Sequence, residues 1–472
     1  LSVFLGALDS TIVATLSSSI ASSFSAANEV SWLATSYLLS LSATSALYGR
    51  LSNLVGRRLS LFIALTLFTI GTIACGLSTS MNSFILARFV AGMGGGGVMT
   101  TSSIIASDLV PLNRRGVVQG LANICFGAGA ALGAPLGGWL ADGLGWRYAF
   151  IVQVPVLVLA MGMVAYLIDY RCEGEAVDKA ELIRRIDWWG SLTLVLWVSF
   201  PLSCFWTDPR VYLTLLSFIC FFVVFVYIEA RVASEPVLPI KLLKLKSPSS
   251  IACTFFLISV LYMYPMYLET VASQTSSQAG LHLVPNSIAI AFGSLLAGLM
   301  IRLTSRHRTP TIIGTVVFGT GSAIMVASGL QQAWAQWIAI VPIGFGFAWV
   351  ATSLLVGLMT SVSTEEMAIA TALTYLFRYT GQVVGVAISG AILQNVLVRE
   401  LHARITGPGS LEIIDKIRKQ SSIVSHLPTE TLRLIAKESY SKGLMKVFEW
   451  NLILSGLAIL TTFFIDESTV ER

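Results

Sequence analysis

Three ionisable side chains, Asp9, Arg88 and Arg378, lie inside stretches that are otherwise apolar. A charge in a hydrocarbon environment is costly, and it is kept where it relays a proton, binds a solute or pairs with another charge. Asp9 is the candidate to take up and release a proton or to face a cation. Desolvation favours its neutral acid and a neighbouring arginine favours its carboxylate, so a solute that alters either influence alters its protonation. The competing reading is a structural acid paired with a basic neighbour. Arg378 sits too deep in its segment to snorkel, and it reads as a cavity-facing group: a partner for Asp9, a ligand for a solute, or half of a structural pair. Arg88 is only a few residues inside its segment, where snorkelling competes with a functional role. Tyr37, Tyr262, Trp349 and Tyr375 are candidates for an aromatic wall against a cationic or amphipathic solute. Other aromatics, such as Trp32, Tyr264 and Tyr267, read as interfacial belts. The four histidines, His282, His307, His402 and His426, are scattered through ends and loops and form no metal constellation. No segment offers a nucleophile, base and orienter together, so neither a cofactor nor enzyme chemistry is expected.

The elements that hold these residues are membrane spans. The 472 residues have a mean hydropathy of +0.78, with 55% hydrophobic and 12% charged, against about 25% charged in soluble domains. A span needs about 20 mostly apolar residues. Fourteen segments qualify, near 1–21, 31–49, 59–78, 84–107, 117–138, 149–168, 188–206, 211–230, 250–269, 282–301, 310–330, 335–357, 368–394 and 444–465. The chain opens at Leu1 inside an apolar run without an initiator Met, so upstream residues are expected. With the N-terminus cytosolic, the loops after the even-numbered segments through the twelfth carry sixteen Lys/Arg, whereas the short opposite loops carry Arg147 and Arg210. That is the positive-inside bias. It accounts for the net charge of +5 without a nucleic-acid partner. The six cysteines fall mostly in apolar segments and make no CxxC pair, which argues against a disulfide framework or a zinc site.

The chain also repeats itself. At a shift of 252 residues, Gly92, Gly94, Val98 and Thr100 fall on Gly344, Gly346, Val350 and Thr352. In the same register Leu121, Gly129, Gly133 and Gly138 fall on Leu373, Gly381, Gly385 and Gly390. Parallel halves related by an axis along the membrane normal are a transporter architecture, with the solute site at the midplane between them. The expected organisation is a first six-helix bundle over 1–168, an inserted hairpin with cytosolic linkers over 169–249, and a second bundle over 250–472. Segment 395–443, with eight Lys/Arg, five Asp/Glu and an apolar periodicity at Ile413, Ile414 and Ile417, is expected to hold amphipathic helices on the non-cytosolic side.

The loop after the second segment reads Gly49-Arg50-Leu51-Ser52-Asn53-Leu54-Val55-Gly56-Arg57-Arg58, and Gly298, Arg302, Ser305, Arg306 and Arg308 echo it after the tenth. Arginines on a tight turn can engage carboxylates and helix ends, which suits a cytosolic latch. This loop resembles the signature loop of the major facilitator superfamily, and Arg88-x-x-x-Gly92-x-Gly94 resembles that family's motif in helix 4. Gly129, Gly133, Ala134, Pro135 and Gly138 resemble the motif of its antiporter branch. Leu8-Asp9-x-Thr11-Ile12-Val13 resembles the first-helix motif of its fourteen-helix drug:proton antiporters. The stretch from Ala7 through Leu38 is further similar to the fungal vacuolar basic amino acid transporters. The family loop has an aspartate where this chain has Asn53, which implies a weaker latch. The glycines of the fifth segment also suit close helix packing in lipid. Gly92-Met93-Gly94-Gly95-Gly96-Gly97 matches a dinucleotide fingerprint only by letters, since no strand precedes it.

The resemblance implies an all-α membrane protein of the major facilitator fold: two six-helix bundles in pseudo-twofold repeat plus two inserted helices. The expected function is secondary active transport by alternating access, as proton-coupled antiport of basic amino acids or cationic drugs with Asp9 as the proton site. Helix 5 would flex at Pro135. An anionic or zwitterionic solute such as a siderophore is the alternative, because an unpaired arginine repels a cation, and a non-transporting nutrient sensor is the alternative of another class. The expected partners are the lipid bilayer, a small organic solute and protons, with the chain a monomer. The vacuolar membrane is the implied location, with the plasma membrane as the alternative.

Overall fold

Long apolar runs in a lipid environment must satisfy their backbone groups internally, and here they do so as helices. In the computed structural model, residues 1–24, 26, 30–168, short stretches between 216 and 231, 246–258, 263–274, 276–362, 366–406, 409–419, 423–424 and 427–467 are described. Six helices make the first half: α1 (Ser2–Ser23), α2 (Val30–Val55), α3 (Arg57–Leu77), α4 (Met81–Asp108), α5 (Leu112–Gly143) and α6 (Tyr148–Leu167, with a turn at Val152). The second half comprises α7 (Lys246–Ile258), α8 (Tyr264–Thr270), α9 (Val284–Thr304), α10 (Arg308–Ser328), α11 (Ile340–Thr360), α12 (Met367–Arg404), α13 (Ser410–Lys419) and α14 (Glu430–Thr462). Among the described residues there is no strand. The seventh expected span, 188–206, lies outside the described residues, as does most of the eighth. Phe225, in the eighth, is buried against Leu39 and Ala46 of α2 and Leu373, Leu376 and Val383 of α12.

The repeat is visible in the packing, where glycines let backbones approach closely. A methyl added at Gly129 of α5 would lie 2.3 Å from the Phe4 carbonyl of α1, and one at Gly381 of α12 would lie 2.5 Å from the Phe256 carbonyl of α7. Phe4 and Phe256 are themselves 252 residues apart. Gly94 likewise meets Phe68 of α3, and Gly346 meets Phe318 of α10. The last matched pair is different: Gly138 and Gly390 have no atom within 4 Å of an added methyl, so they do not mark close packing.

Two seams join the halves, α5 against α9 and α2 against α12. Asn123 Nδ2 donates to Ser294 Oγ at 2.7 Å across the first, and Ser42 and Thr380 share a hydrogen bond of 2.8 Å across the second. On the basic-loop side the seams are tight. A methyl at Gly49 would fall 2.3 Å from Ala372 Cβ, and one at Gly116 would fall 2.9 Å from Gly298 Cα. The two halves therefore meet closely at the end that carries the basic loops. At the opposite face, α12 runs on to Arg404, α14 begins at Glu430 and α13 lies between them. Ile414 and Ile417 of α13 are buried, and Tyr440 donates to the Ile417 carbonyl at 2.8 Å, so the amphipathic helix expected from the periodicity caps the second half.

Candidate functional site

Asp9 and Arg88 meet inside the first half. Arg88 Nη1 donates to Asp9 Oδ2 at 2.7 Å, and the residues are 1% and 0% exposed, so Arg88 does not snorkel. The guanidinium lies 4.1 Å over the ring of Tyr37, a cation–π arrangement, and its Nε reaches the Leu33 carbonyl at 3.4 Å. The glycine run on α4 builds this site. A methyl at Gly92 would strike Ser40 Oγ at 2.0 Å, and one at Gly95 would strike Tyr37 Oη at 2.5 Å. Bare backbone there lets α2 lie close enough to slide Tyr37 beneath Arg88. Asp9 Oδ1 is buried and has no hydrogen-bond partner among the described residues.

The pairing of Asp9 with Arg88 corrects one expectation, since Arg378 is not the partner of Asp9. Arg378 lies instead at the seam of the halves. It lines a small cavity of about 20 Å³ with Gln119 and Asn123 of α5, Thr374 and Tyr375 of α12, and apolar groups of α7 and α11. That volume holds roughly one water. The guanidinium stacks on Phe347 at 5.0 Å and on Tyr379 at 5.9 Å, yet it makes no ion pair among the described residues, and its Nε is buried without a hydrogen-bond partner. Tyr375 stacks on Tyr379 at 5.8 Å, and both belong to the apolar cluster that contains Tyr37, so α12 is packed onto the Asp9–Arg88 site. Trp349 turns to Gly314 of α10 and away from the cavity that Ala351 and Leu355 line. Tyr262 lies outside the described residues.

Sequence reasoning passed over Gln119, Asn123 and Thr374. Their signal was a polar residue within an apolar run; Asn123 and Tyr375 are also repeat equivalents, 252 residues apart, which both line the cavity.

At the basic-loop end Arg57 gathers the contacts of the 49–58 loop. Its Nε donates to Asp108 Oδ2 at 2.8 Å, and its Nη1 donates to Asn53 Oδ1 at 2.6 Å and Ser52 Oγ at 3.1 Å. Asn53 thus keeps the contact while Asp108 supplies the charge. Gly56 turns the chain at a φ of +87°, a region that a side chain rarely adopts. Arg58 donates to the Ala165 carbonyl at the end of α6. The echo in the second half is built differently: Arg308 Nη2 donates to the Phe463 carbonyl at 2.9 Å, and buried His307 faces Gly357 of α11. Gly133 packs on Thr11 of α1, while Pro135 is on the exposed side of α5.

Residues 1–386 match the model of the Major Facilitator Superfamily. The chain belongs to that family. Among its relatives, "Multidrug resistance protein fnx1" of Schizosaccharomyces pombe is 34% identical, over 98% of this chain and 89% of that protein. "Vacuolar basic amino acid transporter 1" of Saccharomyces cerevisiae is 32% identical, over 84% and 76%. A solved structure of a bacterial homologue of the human lysosomal transporter Spinster, inward-facing and unoccupied, superposes with a TM-score of 0.63 at 16% identity, covering 98% of this chain and 95% of that one. This major facilitator chain is therefore a multi-pass membrane transporter and not an enzyme. Its buried pair on α1 and α4 and its arginine-lined cavity both set charge inside apolar spans.

Proposed function

We propose that this carrier exchanges protons for amino acids by alternating access, with Asp9 as the proton site, at the vacuolar membrane. The observation that carries the reading is the buried Asp9–Arg88 pair, in which only one carboxylate oxygen is bonded. A buried pair that loses one charge leaves the other uncompensated, at a cost of about 3–5 kcal/mol. Protonation of Asp9 therefore frees Arg88, and with it the Tyr37 packing that adjoins Tyr375 and Tyr379 of α12. That contact gives the proton a mechanical purchase on the second half, which a rocking carrier needs. The amino acid and the vacuole come from the names of the relatives, and basic amino acids are the first to test.

The test is transport in proteoliposomes with an imposed pH gradient. Wild-type protein is expected to move labelled lysine or arginine against a proton counterflow. Asp9→Asn is expected to retain solute exchange at equal pH and lose the pH-driven component. Full pH-driven accumulation by Asp9→Asn would refute the assignment.

A further inference from the structure

A cation kept inside an apolar span without a counter-ion is costly, and such residues usually mark a functional site. Arg378 is partly buried on the seam of the halves: its Nε is enclosed without an acceptor, it makes no ion pair among the described residues, and Asp9 is committed to Arg88. Its surroundings add donors without adding charge. Gln119 accepts from Ser103 Oγ at 3.2 Å through Oε1, and its amide hydrogens have no partner among the described residues. Asn123 is held by its bond to Ser294, which in turn shares a bond of 2.5 Å with Thr352. The cavity thus sets the Gln119 amide and a fixed Asn123 carboxamide beside one guanidinium, on the seam that must open for a solute to pass. The rings of Phe347 and Tyr379 flank the guanidinium, and a guanidinium's paired N–H donors suit a carboxylate.

We infer that Arg378, with Gln119 and Asn123, is the subsite for a solute carboxylate, so the transported class is defined by its acid group and not by its positive charge. The inference rests on the transport reading above and narrows its solute to amino acids, excluding cations that lack a carboxylate. The cavity is contracted in the cytosol-closed form and widens as the halves part. A carboxylate entering there does for Arg378 what Asp9 does for Arg88. A basic side chain on the same solute is tolerated if it extends away from Arg378; the carboxylate is required.

Binding to the purified full chain tests this independently of proton coupling, by ligand-induced thermal stabilisation. The probes are L-lysine, its amide and cadaverine, and L-leucine with its amide. The acids are expected to bind about 100-fold more tightly than their carboxylate-free analogues, since a lost partner leaves the guanidinium unpaired. In Arg378→Gln that preference is expected to collapse to within about threefold, and in Arg378→Lys to return in part. Equal binding of cadaverine and lysine by the wild type, or no preference for any acid over its amide, overturns the inference while leaving pH-driven transport to be judged separately. Retention of the full preference by a folded Arg378→Gln also overturns it. Absence of pH-driven transport in the wild type, with the acid preference intact, would instead overturn the proton reading alone.

Discussion

Replacing Gly49 with alanine places a methyl carbon 2.3 Å from Ala372 Cβ, across the basic-loop end of the seam between α2 and α12. Ordinary carbon contacts are about 3.5–4.0 Å, so the two helices must part by roughly 1.2–1.7 Å at that level. The Ala368 carbonyl, 3.3 Å away, blocks escape along the helix. Overpacking of this kind costs about 1–3 kcal/mol. The cost falls on the cytosol-closed form alone, because rocking of the halves separates these ends. A coupling of that size shifts the equilibrium about 5–150-fold towards the cytosol-open form. Paramagnetic labels at exposed Leu59 and Arg306, one in each half, report the change as a longer distance in a background without the six native cysteines. Gly390→Ala is the control: it makes the same change on α12 with no atom within 4 Å. A Gly49→Ala distance distribution matching that of the wild type would refute the packing argument, as would an equal shift in Gly390→Ala.

Two further outcomes follow from the basic loops. Asn53→Asp converts the 2.6 Å bond from Arg57 into a charge-assisted one; with Asn53 on the exposed side the gain is about 0.5–1 kcal/mol, seen as a small rise in melting temperature, and a fall would contradict it. His307 lies outside the spans, and burial holds its imidazole below the ordinary 6.5, with Glu467 opposing. The folded chain binds that proton less readily than the unfolded one, so stability present above about pH 6.5 is lost as pH falls. His307→Gln should flatten the melting-temperature slope below that pH, and an unchanged slope would exclude His307 as its source.

The spans, the repeat and the residues worth suspecting were legible because hydropathy and periodicity act along the chain. Asp9, Arg88 and Arg378 stood out as charges in apolar runs; the first two are buried together and Arg378 lines the seam. Their pairing was not legible. Whether Asp9 meets Arg88 or Arg378 depends on which helix faces pack, and that is decided by glycines whose effect is three-dimensional: Gly92 and Gly95 matter because Ser40 and Tyr37 lie against them. Gly138 and Gly390 show the reverse, a matched pair with open space beside each. Gln119 and Asn123 were passed over because a lone carboxamide in a span has no periodic signature and gains meaning only from the arginine opposite.

The inequality of the halves is more informative than their likeness. The same glycine contacts recur at Phe4 and Phe256 and at Phe68 and Phe318, so both halves were built on one packing scheme. Charge was then distributed unequally upon it. The first half pairs its deep arginine with Asp9 and its latch arginine with Asp108. In the second, Arg378 stands where the first half has Phe126, and it has no acid among the described residues; Thr360 stands at the repeat equivalent of Asp108. A symmetric carrier would balance its charges within each half and gain nothing from a passing solute. Here the balance at the seam is incomplete until something acidic arrives, and that dependence gives a solute a differential interaction with the states of the carrier, without which no ligand can shift an equilibrium.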